Sequence, residues 1–170
     1  MPSEDIVGAG DRWIASADYE FIAARVPIVC VDVILLSSDP EPKVGLIYRN
    51  TYAGRKGWCL VGGAVLRNES LTAAVARHAR STLGYSVELD MASLQLLGVI
   101  EYFTERDRGG FYDPRKHAIS LTYLARCAGV SLPQGEALDF RWFNPSQLAN
   151  LEYGFGQGAL VDRYVRLVGG

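Results

Sequence analysis

The sequence predicts an α/β fold in which helices sandwich one mixed β-sheet. Two β-branched runs near the start predict strands, and apolar residues at helical spacing between positions 69 and 82 predict a helix. Further short strands and a closing helical segment follow, and alternation of this kind is typical of layered α/β packing. With 170 residues, 49% of them apolar, the chain is long enough for one substantial core and too short for a second full domain.

The first part of the chain predicts an arm followed by a hairpin. Residues 1–27 contain early glycines and a short helical segment at 16–22 that Pro27 ends, so we assign them to an N-terminal arm. The folded domain is then assigned to residues 28–170. The runs IVCVDVILL, from Ile28, and VGLIY, from Val44, flank a polar turn and predict two antiparallel strands.

The middle of the chain predicts a strand, a glycine turn and a helix. The strand covers residues 58–61 and ends at a turn formed by Gly62 and Gly63. The helix covers residues 69–82 and ends at Gly84, where a left-handed residue is tolerated. The remaining elements are predicted as strands at 94–103, 118–126 and 140–143, a polar loop at 104–116, a short helix from Asn144 and a closing helix at 159–167.

Composition excludes several classes of partner and location. The formal net charge of -2 gives no sign of the clustered basic residues that nucleic-acid binding requires, so no nucleic-acid partner is expected. No apolar run reaches the roughly 18 residues that a membrane span requires, so no membrane partner is expected. Three cysteines without metal-binding spacing predict reduced thiols and a cytoplasmic protein.

The most informative pattern begins at the paired glycines. Measured from Gly63, the intervals to Glu69, Arg77 and Gly84 reproduce the frame G-x5-E-x7-R followed by a closing glycine. This frame resembles the Nudix box of diphosphate-hydrolysing enzymes, and the order of strands and helices over residues 28–150 is similar to a Nudix domain. The resemblance implies the Nudix fold, with its mixed sheet between helices.

Within the Nudix family, the chain is most similar to GDP-mannose mannosyl hydrolases. The similarity lies in the segment Val26–Asp32 and in an arginine thirteen residues before the first glycine, Arg49. It implies hydrolysis of a nucleotide sugar by attack at the sugar carbon, with a magnesium ion and a histidine as general base. In this chain that histidine corresponds to His117.

The magnesium-binding part of the box is altered. Where the Nudix pattern has glutamates, this chain has His78, Ser81 and Thr82, which share one helical face. Magnesium prefers hard oxygen ligands with net negative charge, and this face offers no carboxylate. We therefore predict no metal site on this helix and no cofactor.

Two interpretations of the pocket follow. In one, the metal is lost and the pocket only binds a ligand. In the other, Arg49, Lys116 and Arg77 replace the ion and clamp a diphosphate, while the backbone of Gly62 and Gly63 approaches the phosphates closely. Arg77 and Glu69 could instead form a salt bridge that braces the loop.

The predicted function is hydrolysis of a nucleoside diphosphate linked to another group, such as a nucleotide sugar. His117 would activate water, while Arg49 and Lys116 would stabilise the departing diphosphate. The alternative is a Nudix-fold protein that binds its ligand or a partner without catalysis. The arm predicts a homodimer. Some aromatic residues near the late strands could stack on a base: Tyr102, Phe103, Phe111, Tyr112, Trp142 and Tyr153.

Overall fold

A computed structural model of the chain describes residues 14–168. Four α-helices occur in this range, and we number them in chain order. They are α1 (Ser16–Ala23), α2 (Leu71–Leu83), α3 (Pro145–Leu148) and α4 (Gly158–Val168).

Eight strands form one sheet within the described range. They are β1 (Ile28–Ser37), β2 (Val44–Asn50), β3 (Lys56–Cys59), β4 (Val61–Ala64), β5 (Val87–Phe103), β6 (Phe111–Tyr112), β7 (Ala118–Gly129) and β8 (Asp139–Phe143). A short 3₁₀ turn at Arg106–Arg108 lies between β5 and β6.

The sheet is mixed, with β1 and β7 at its centre. The main strand order is β3-β2-β1-β7-β5-β6, while β4 pairs with β1 and β8 pairs with β2. β1 and β7 are parallel, with Ile28 opposite Ala118 at one end and Ser37 opposite Cys127 at the other. Strand β1 therefore connects the glycine pair on β4 to the residues that follow the 104–116 loop.

Strand β1 is buried on both faces and therefore lies at the centre of the core. Every residue from Cys30 to Ser37 is buried, which is the pattern of a central strand covered on both sides. Helix α2 packs against β4, β1 and β5. Leu160, Val161 and Tyr164 of α4 are also buried in the core. The predicted α/β sandwich is confirmed.

The structure differs from the predicted strand and turn around the glycine pair. The predicted strand at 58–61 is two strands, which separate at Leu60, where the N–H group donates to Gln157 Oε1 at 2.9 Å. Gly62 and Gly63 do not form a turn, because both lie within β4 and pair with Asp32 and Val31 of β1. A side chain at position 62 would collide with the backbone of β1 and with the Asp32 carboxylate, so glycine is required here by close approach.

The other predicted helices and strands are confirmed with shifted boundaries, whereas the predicted loop at 104–116 contains the 3₁₀ turn and the short strand β6. Helix α2 begins at Leu71 because Ser70 caps it by accepting a hydrogen bond from the Ala73 N–H at 3.2 Å. Strand β5 begins at Val87, seven residues earlier than predicted. The hairpin of β1 and β2 is antiparallel as predicted.

The predicted arm contains α1, whose residues are all at least partly exposed. Residues 1–13 of the arm and residues 169–170 lie outside the described residues, and the boundary at residue 27 stays a prediction. Between residues 14 and 168, no helix has the length and apolar character needed to cross a bilayer.

Candidate functional site

A small cavity lies where β1, β4 and β7 meet the end of the 104–116 loop. Its volume is about 60 Å³. Five charged residues line it: Asp32, Arg49, Asp113, Arg115 and Lys116. Other lining residues include Cys30, Gly62, Gly63, Tyr102, Ser120, Phe155 and Gln157. A larger cavity of about 560 Å³ lies on the outer face of α2, and none of the predicted site residues lines it.

Asp32 is the buried acid of the cavity. Its Oδ2 accepts a hydrogen bond from Ser120 Oγ at 2.6 Å and a longer one from Tyr102 Oη at 3.4 Å. Burial raises the pKa of the Asp32 carboxyl, while the two hydroxyl donors and the nearby cations act in the opposite direction. A carboxyl with a raised pKa can exchange a proton at a pH closer to neutrality than an exposed one.

A relay of hydrogen bonds fixes the groups around Asp32. Gln157 accepts from the Leu60 N–H, and its Nε2 donates to Tyr102 Oη at 2.9 Å. Tyr102 in turn donates to Asp32. The relay orients Tyr102 and the Asp32 carboxyl through uncharged donors, namely the Leu60 N–H group, the Gln157 amide and the Tyr102 hydroxyl.

Lys116 supplies the cavity with a positive charge. Its Nζ donates to Tyr19 Oη on α1 at 3.0 Å and lies 5.7 Å from the centre of the Tyr19 ring. Among residues 14–168, no carboxylate forms a salt bridge with it. Burial opposes the charge, but Cys30 and Tyr19 outweigh burial and raise the pKa of the Lys116 amine. Lys116 is therefore a half-buried cation whose hydrogen-bond partner is neutral.

The two arginines of the cavity are already paired. Arg49 Nη1 lies 2.7 Å from Glu136 Oε2. Arg115 donates from Nε and Nη2 to the two oxygens of Asp113, both at 2.9 Å. Asp113 is 4% exposed, so it holds the Arg115 guanidinium in a fixed orientation at the cavity.

Glu69 and Arg77, which belong to the frame of the box, form a separate brace outside the cavity. Arg77 donates to both oxygens of Glu69, at 2.6 and 2.8 Å, and to Ala64 O at 2.9 Å. Glu69 also accepts from the Leu66 N–H. The hydrogen bonds from Arg77 lower the pKa of the Glu69 carboxyl. Arg77 thus closes the loop between β4 and α2, as the salt-bridge interpretation predicted.

The face of α2 that holds carboxylates in the Nudix pattern is filled in another way. His78 Nε2 lies 3.0 Å from Ala64 O, and its ring packs where a side chain on Gly63 would lie. Burial lowers the pKa of His78, so the ring is neutral at pH 7. Thr82 is buried, and Ser81 is exposed and donates to the His78 carbonyl.

This face does not fit a magnesium ion. It presents a neutral imidazole that already binds a carbonyl, and Arg77 Nη2 lies 3.3 Å from that ring. A hard dication needs several oxygen ligands and negative charge. Within residues 14–168, no group of three or more His, Cys, Asp or Glu side chains is arranged to hold a metal.

His117 lies beside the cavity rather than in its lining. Its ring packs on Phe103 with 4.9 Å between ring centres. Its Nε2 is buried and has no hydrogen-bond partner among the described residues. The backbone carbonyl of His117 accepts from the Ile28 N–H, at the first residue pair of β1 and β7.

The structure brings together four of the six predicted site residues. Arg49, Gly62, Gly63 and Lys116 line the cavity, whereas Arg77 and His117 do not. Sequence reasoning missed the roles of several lining residues: Asp32, Tyr102, Asp113, Arg115, Ser120, Phe155 and Gln157. One signal was available, because Asp32 is the single charged residue within the apolar run of β1.

Comparisons with known proteins agree with this architecture. Residues 9–169 match the family described as a domain of unknown function, DUF4916. A curated relative, the low-salt glycan biosynthesis protein Agl8 of Haloferax volcanii, is 36% identical over 90 residues, which cover 53% of this chain. The aligned residues span about half of that relative's length, 53%.

Several solved structures share the fold of this chain. A possible asymmetric diadenosine tetraphosphate hydrolase from Jonesia denitrificans is 30% identical, with a TM-score of 0.74, and the match covers 85% of this chain and 96% of that one. The NUDIX domain of Shewanella oneidensis NrtR, solved with ADP ribose, is 18% identical with a TM-score of 0.61. That match covers 92% of this chain and 100% of the NrtR domain, and it shows the fold alone.

The Nudix resemblance is confirmed by these neighbours, while the closer similarity to mannosyl hydrolases stays a prediction. The cavity, the Glu69–Arg77 brace and the family match together show that this chain belongs to the DUF4916 family and is a Nudix-fold protein with an altered Nudix box.

Proposed function

We propose that this protein binds and hydrolyses a nucleoside diphosphate linked to a sugar, with the diphosphate held by side chains rather than by a magnesium ion on α2. The observation that carries the proposal is Lys116, a half-buried cation at the cavity whose hydrogen-bond partner is the neutral Tyr19 hydroxyl. The pKa of the Lys116 amine is raised, so the amine is charged at pH 7, and an anionic ligand could bind it without displacing a carboxylate.

The charges of the cavity support a diphosphate rather than a neutral ligand. Asp113 pairs with Arg115 and Glu136 pairs with Arg49, so these two arginines are already neutralised. Lys116 adds a positive charge that no carboxylate pairs with among residues 14–168. The Arg49 N–H groups that Glu136 does not occupy can still donate to phosphate oxygens. The volume of about 60 Å³ suits a phosphoryl group, so the nucleoside and sugar extend beyond it.

Two observations favour a sugar as the group that is linked to the nucleoside diphosphate. The residues shared with mannosyl hydrolases favour a nucleotide sugar, and the related protein Agl8 is named for glycan biosynthesis. The neighbour from Jonesia denitrificans is named for a dinucleoside polyphosphate instead. Both ligands contain linked phosphates, so the phosphate clamp is common to either substrate.

Two groups are candidates for the proton acceptor in hydrolysis. His117 is the base that the family resemblance implies, and its buried Nε2 has no hydrogen-bond partner among the described residues. Asp32 lines the cavity and is held by Ser120 and Tyr102. A neutral histidine or an ionised carboxyl could each take a proton from water during attack.

The test is a panel of nucleotide sugars, dinucleoside polyphosphates and nucleoside diphosphates, each incubated with the protein in EDTA, Mg²⁺ or Mn²⁺. Release of free sugar or phosphate is measured, and binding is measured by isothermal titration calorimetry. We expect binding in EDTA that Lys116→Met weakens and that the exposed control Lys43→Met leaves unchanged. Absence of binding by every member of the panel would overturn the proposal.

A second function, ligand binding without catalysis, is favoured by one specific observation. The α2 face at residues 78, 81 and 82 offers no carboxylate, and the His117 ring lies against Phe103. If the panel binds but no product forms under any metal condition, this second function replaces hydrolysis. If the panel does show turnover, the variants His117→Ala and Asp32→Asn identify the proton acceptor.

We also propose that the protein is a cytoplasmic homodimer that the arm helps to build. Helix α1 has no buried residue, and exposed apolar side chains surround it: Ile14, Phe21, Ile22, Val26 and Val29. Sedimentation of the full chain and of a Phe21→Glu variant tests the dimer. The buried free thiols of Cys30, Cys59 and Cys127 support a reducing compartment.

A further inference from the structure

A stack of aromatic rings and guanidinium groups extends from the cavity along the 104–116 loop. The Arg115 guanidinium lies 4.5 Å from the centre of the Phe155 ring, and both residues line the cavity. Tyr52 lies 5.8 Å from Phe155 and 5.5 Å from Tyr112. Arg106 lies 4.0 Å above the Tyr112 ring. We call this group the aromatic stack.

The inner end of the aromatic stack is held rigidly. Asp113, which is 4% exposed, accepts two hydrogen bonds from the Arg115 side chain and one from its backbone N–H. Phe155 is 7% exposed and has a φ of 54°, a conformation that costs free energy for a residue with a side chain. The surrounding contacts therefore fix both the guanidinium plane and the ring beneath it.

The aromatic stack also keeps exposed surface. The Arg115 side chain is 42% exposed despite its two hydrogen bonds to Asp113. Tyr52 and Tyr112 are half-buried and Arg106 is exposed. Asp113 therefore holds the Arg115 guanidinium in place while part of the guanidinium group stays accessible to a ligand.

We propose that Arg115 and Tyr112 form a stacking platform for the nucleobase of the ligand. This inference rests on the proposed function, since it places the base next to a diphosphate held at Lys116. A nucleobase is a flat π-system, and it stacks on aromatic rings and on guanidinium planes with little dependence on sequence. A diphosphate in the cavity leaves the nucleoside outside, where the aromatic stack begins.

The platform explains which of the aromatic residues near the loop contacts the base. Tyr102 is buried and hydrogen-bonded to Asp32, so it belongs to the core and the relay. Trp142 packs on Phe140, at 5.1 Å, on the far edge strand β8. Tyr112 alone of these three belongs to the aromatic stack.

The experiment compares two probes, inorganic pyrophosphate and a nucleoside diphosphate, with the full-length protein in EDTA. The ratio of their dissociation constants isolates the contribution of the nucleoside. The variants are Tyr112→Leu, which removes the ring, and Arg115→Lys, which keeps the charge but loses the planar group. We expect each to weaken nucleoside diphosphate binding by roughly 5- to 150-fold, the range of stacking contributions, and to leave pyrophosphate binding within about twofold.

Matched controls are available elsewhere on the surface. Arg141 also pairs with an aspartate two residues earlier, Asp139, and lies over an aromatic ring, so Arg141→Lys controls for Arg115→Lys. Tyr85 is 87% exposed near α2, so Tyr85→Leu controls for Tyr112→Leu. Neither control should change either dissociation constant.

Two other outcomes of the affinity measurements overturn the platform. An equal loss of affinity for both probes would mean that Arg115 contacts phosphate, and unchanged affinity for both would mean that the base lies elsewhere. A nucleoside without phosphates, observed by saturation-transfer NMR, separates the two proposals. If it contacts wild-type protein and Lys116→Met equally but not Tyr112→Leu, the platform holds even if the diphosphate clamp fails. If it contacts none of them and pyrophosphate still binds, the platform fails while the clamp stands.

Discussion

The brace formed by Glu69 and Arg77 and the cavity around Lys116 both contain partly buried charge, and they differ in how that charge is paired. In the brace, the Glu69 side chain is 5% exposed and accepts three hydrogen bonds, two of them from Arg77. In the cavity, Lys116 donates to a neutral hydroxyl instead. The charge of the brace is paired within the chain, whereas Lys116 forms no salt bridge with a carboxylate of residues 14–168.

This difference separates two tasks that the Nudix box usually combines. The part of the box that fixes the loop is retained, and the part that would hold an ion is replaced by His78, Ser81 and Thr82. His78 donates to the Ala64 carbonyl at the end of β4 and packs on Gly63. It therefore stabilises the same segment as Glu69 and Arg77. The box supports the scaffold, and the ligand site that we propose lies at the cavity beside β1 and β7.

The largest effect of a substitution is expected at the brace. Arg77→Ala should lower the free energy of unfolding by about 3 kcal/mol, because Glu69 would remain buried without its partner. Urea denaturation at pH 7 measures this. The loss should shrink below pH 4.5, the ordinary pKa of Glu69, because acid protonates the carboxyl whose pKa Arg77 holds low.

The control for the brace is an exposed pair. Arg108 binds Glu105, and their side chains are 61% and 66% exposed. Arg108→Ala should therefore change the free energy of unfolding by less than about 0.5 kcal/mol. Equal effects of the two substitutions would show that the Glu69–Arg77 pair is not structural.

The cavity should respond in ligand affinity rather than in stability. Lys116→Met removes one charge-assisted hydrogen bond to phosphate, which is worth about 1.5–3 kcal/mol, or roughly 10- to 100-fold in the dissociation constant. Its stability should change little, because Lys116 is half-buried and forms no salt bridge within residues 14–168. Calorimetry and thermal melting, performed on the same sample, check both expectations. A large loss of stability with unchanged affinity would reverse the comparison.

A smaller effect is expected at Asp32, and its direction depends on pH. Its pKa is raised above the ordinary value of 3.8, so the folded protein holds a proton that the unfolded chain has released as the pH rises above that value. Stability therefore falls with rising pH across the window that starts at 3.8 and ends at the raised pKa.

Asp32→Asn removes this penalty. At pH 8 the variant should be more stable than wild type by about 1 kcal/mol, or roughly 2–4 °C in melting temperature, and the gain should vanish near pH 3. Turnover, if present, should fall if Asp32 is the proton acceptor. Greater stability with lower activity is the pattern expected of a functional residue. A variant that is less stable at pH 8 would show that Asp32 is a structural acceptor instead.

The sequence predicts contacts between residues that lie close together along the chain, and it does not predict contacts between residues that lie far apart. The helix, the hairpin and the brace were predictable because their partners lie within about a dozen residues, where spacing determines contact. The split at Leu60 was not, since its N–H group binds Gln157, 97 residues away. Gly62 and Gly63 indicated a turn by composition, but close packing against Asp32 made them part of a strand.

The sequence by itself determined the α/β fold, the family and the loss of carboxylates at positions 78, 81 and 82, because these depend on local composition and on spacing within one helix. The tertiary structure alone decided which charges meet. Tyr19 reaches Lys116 across 97 residues, and Asp32 meets Ser120 across 88. Such contacts arise when parallel strands and packed loops bring distant segments together, and burial then determines which charges are neutralised within the protein and which face a ligand.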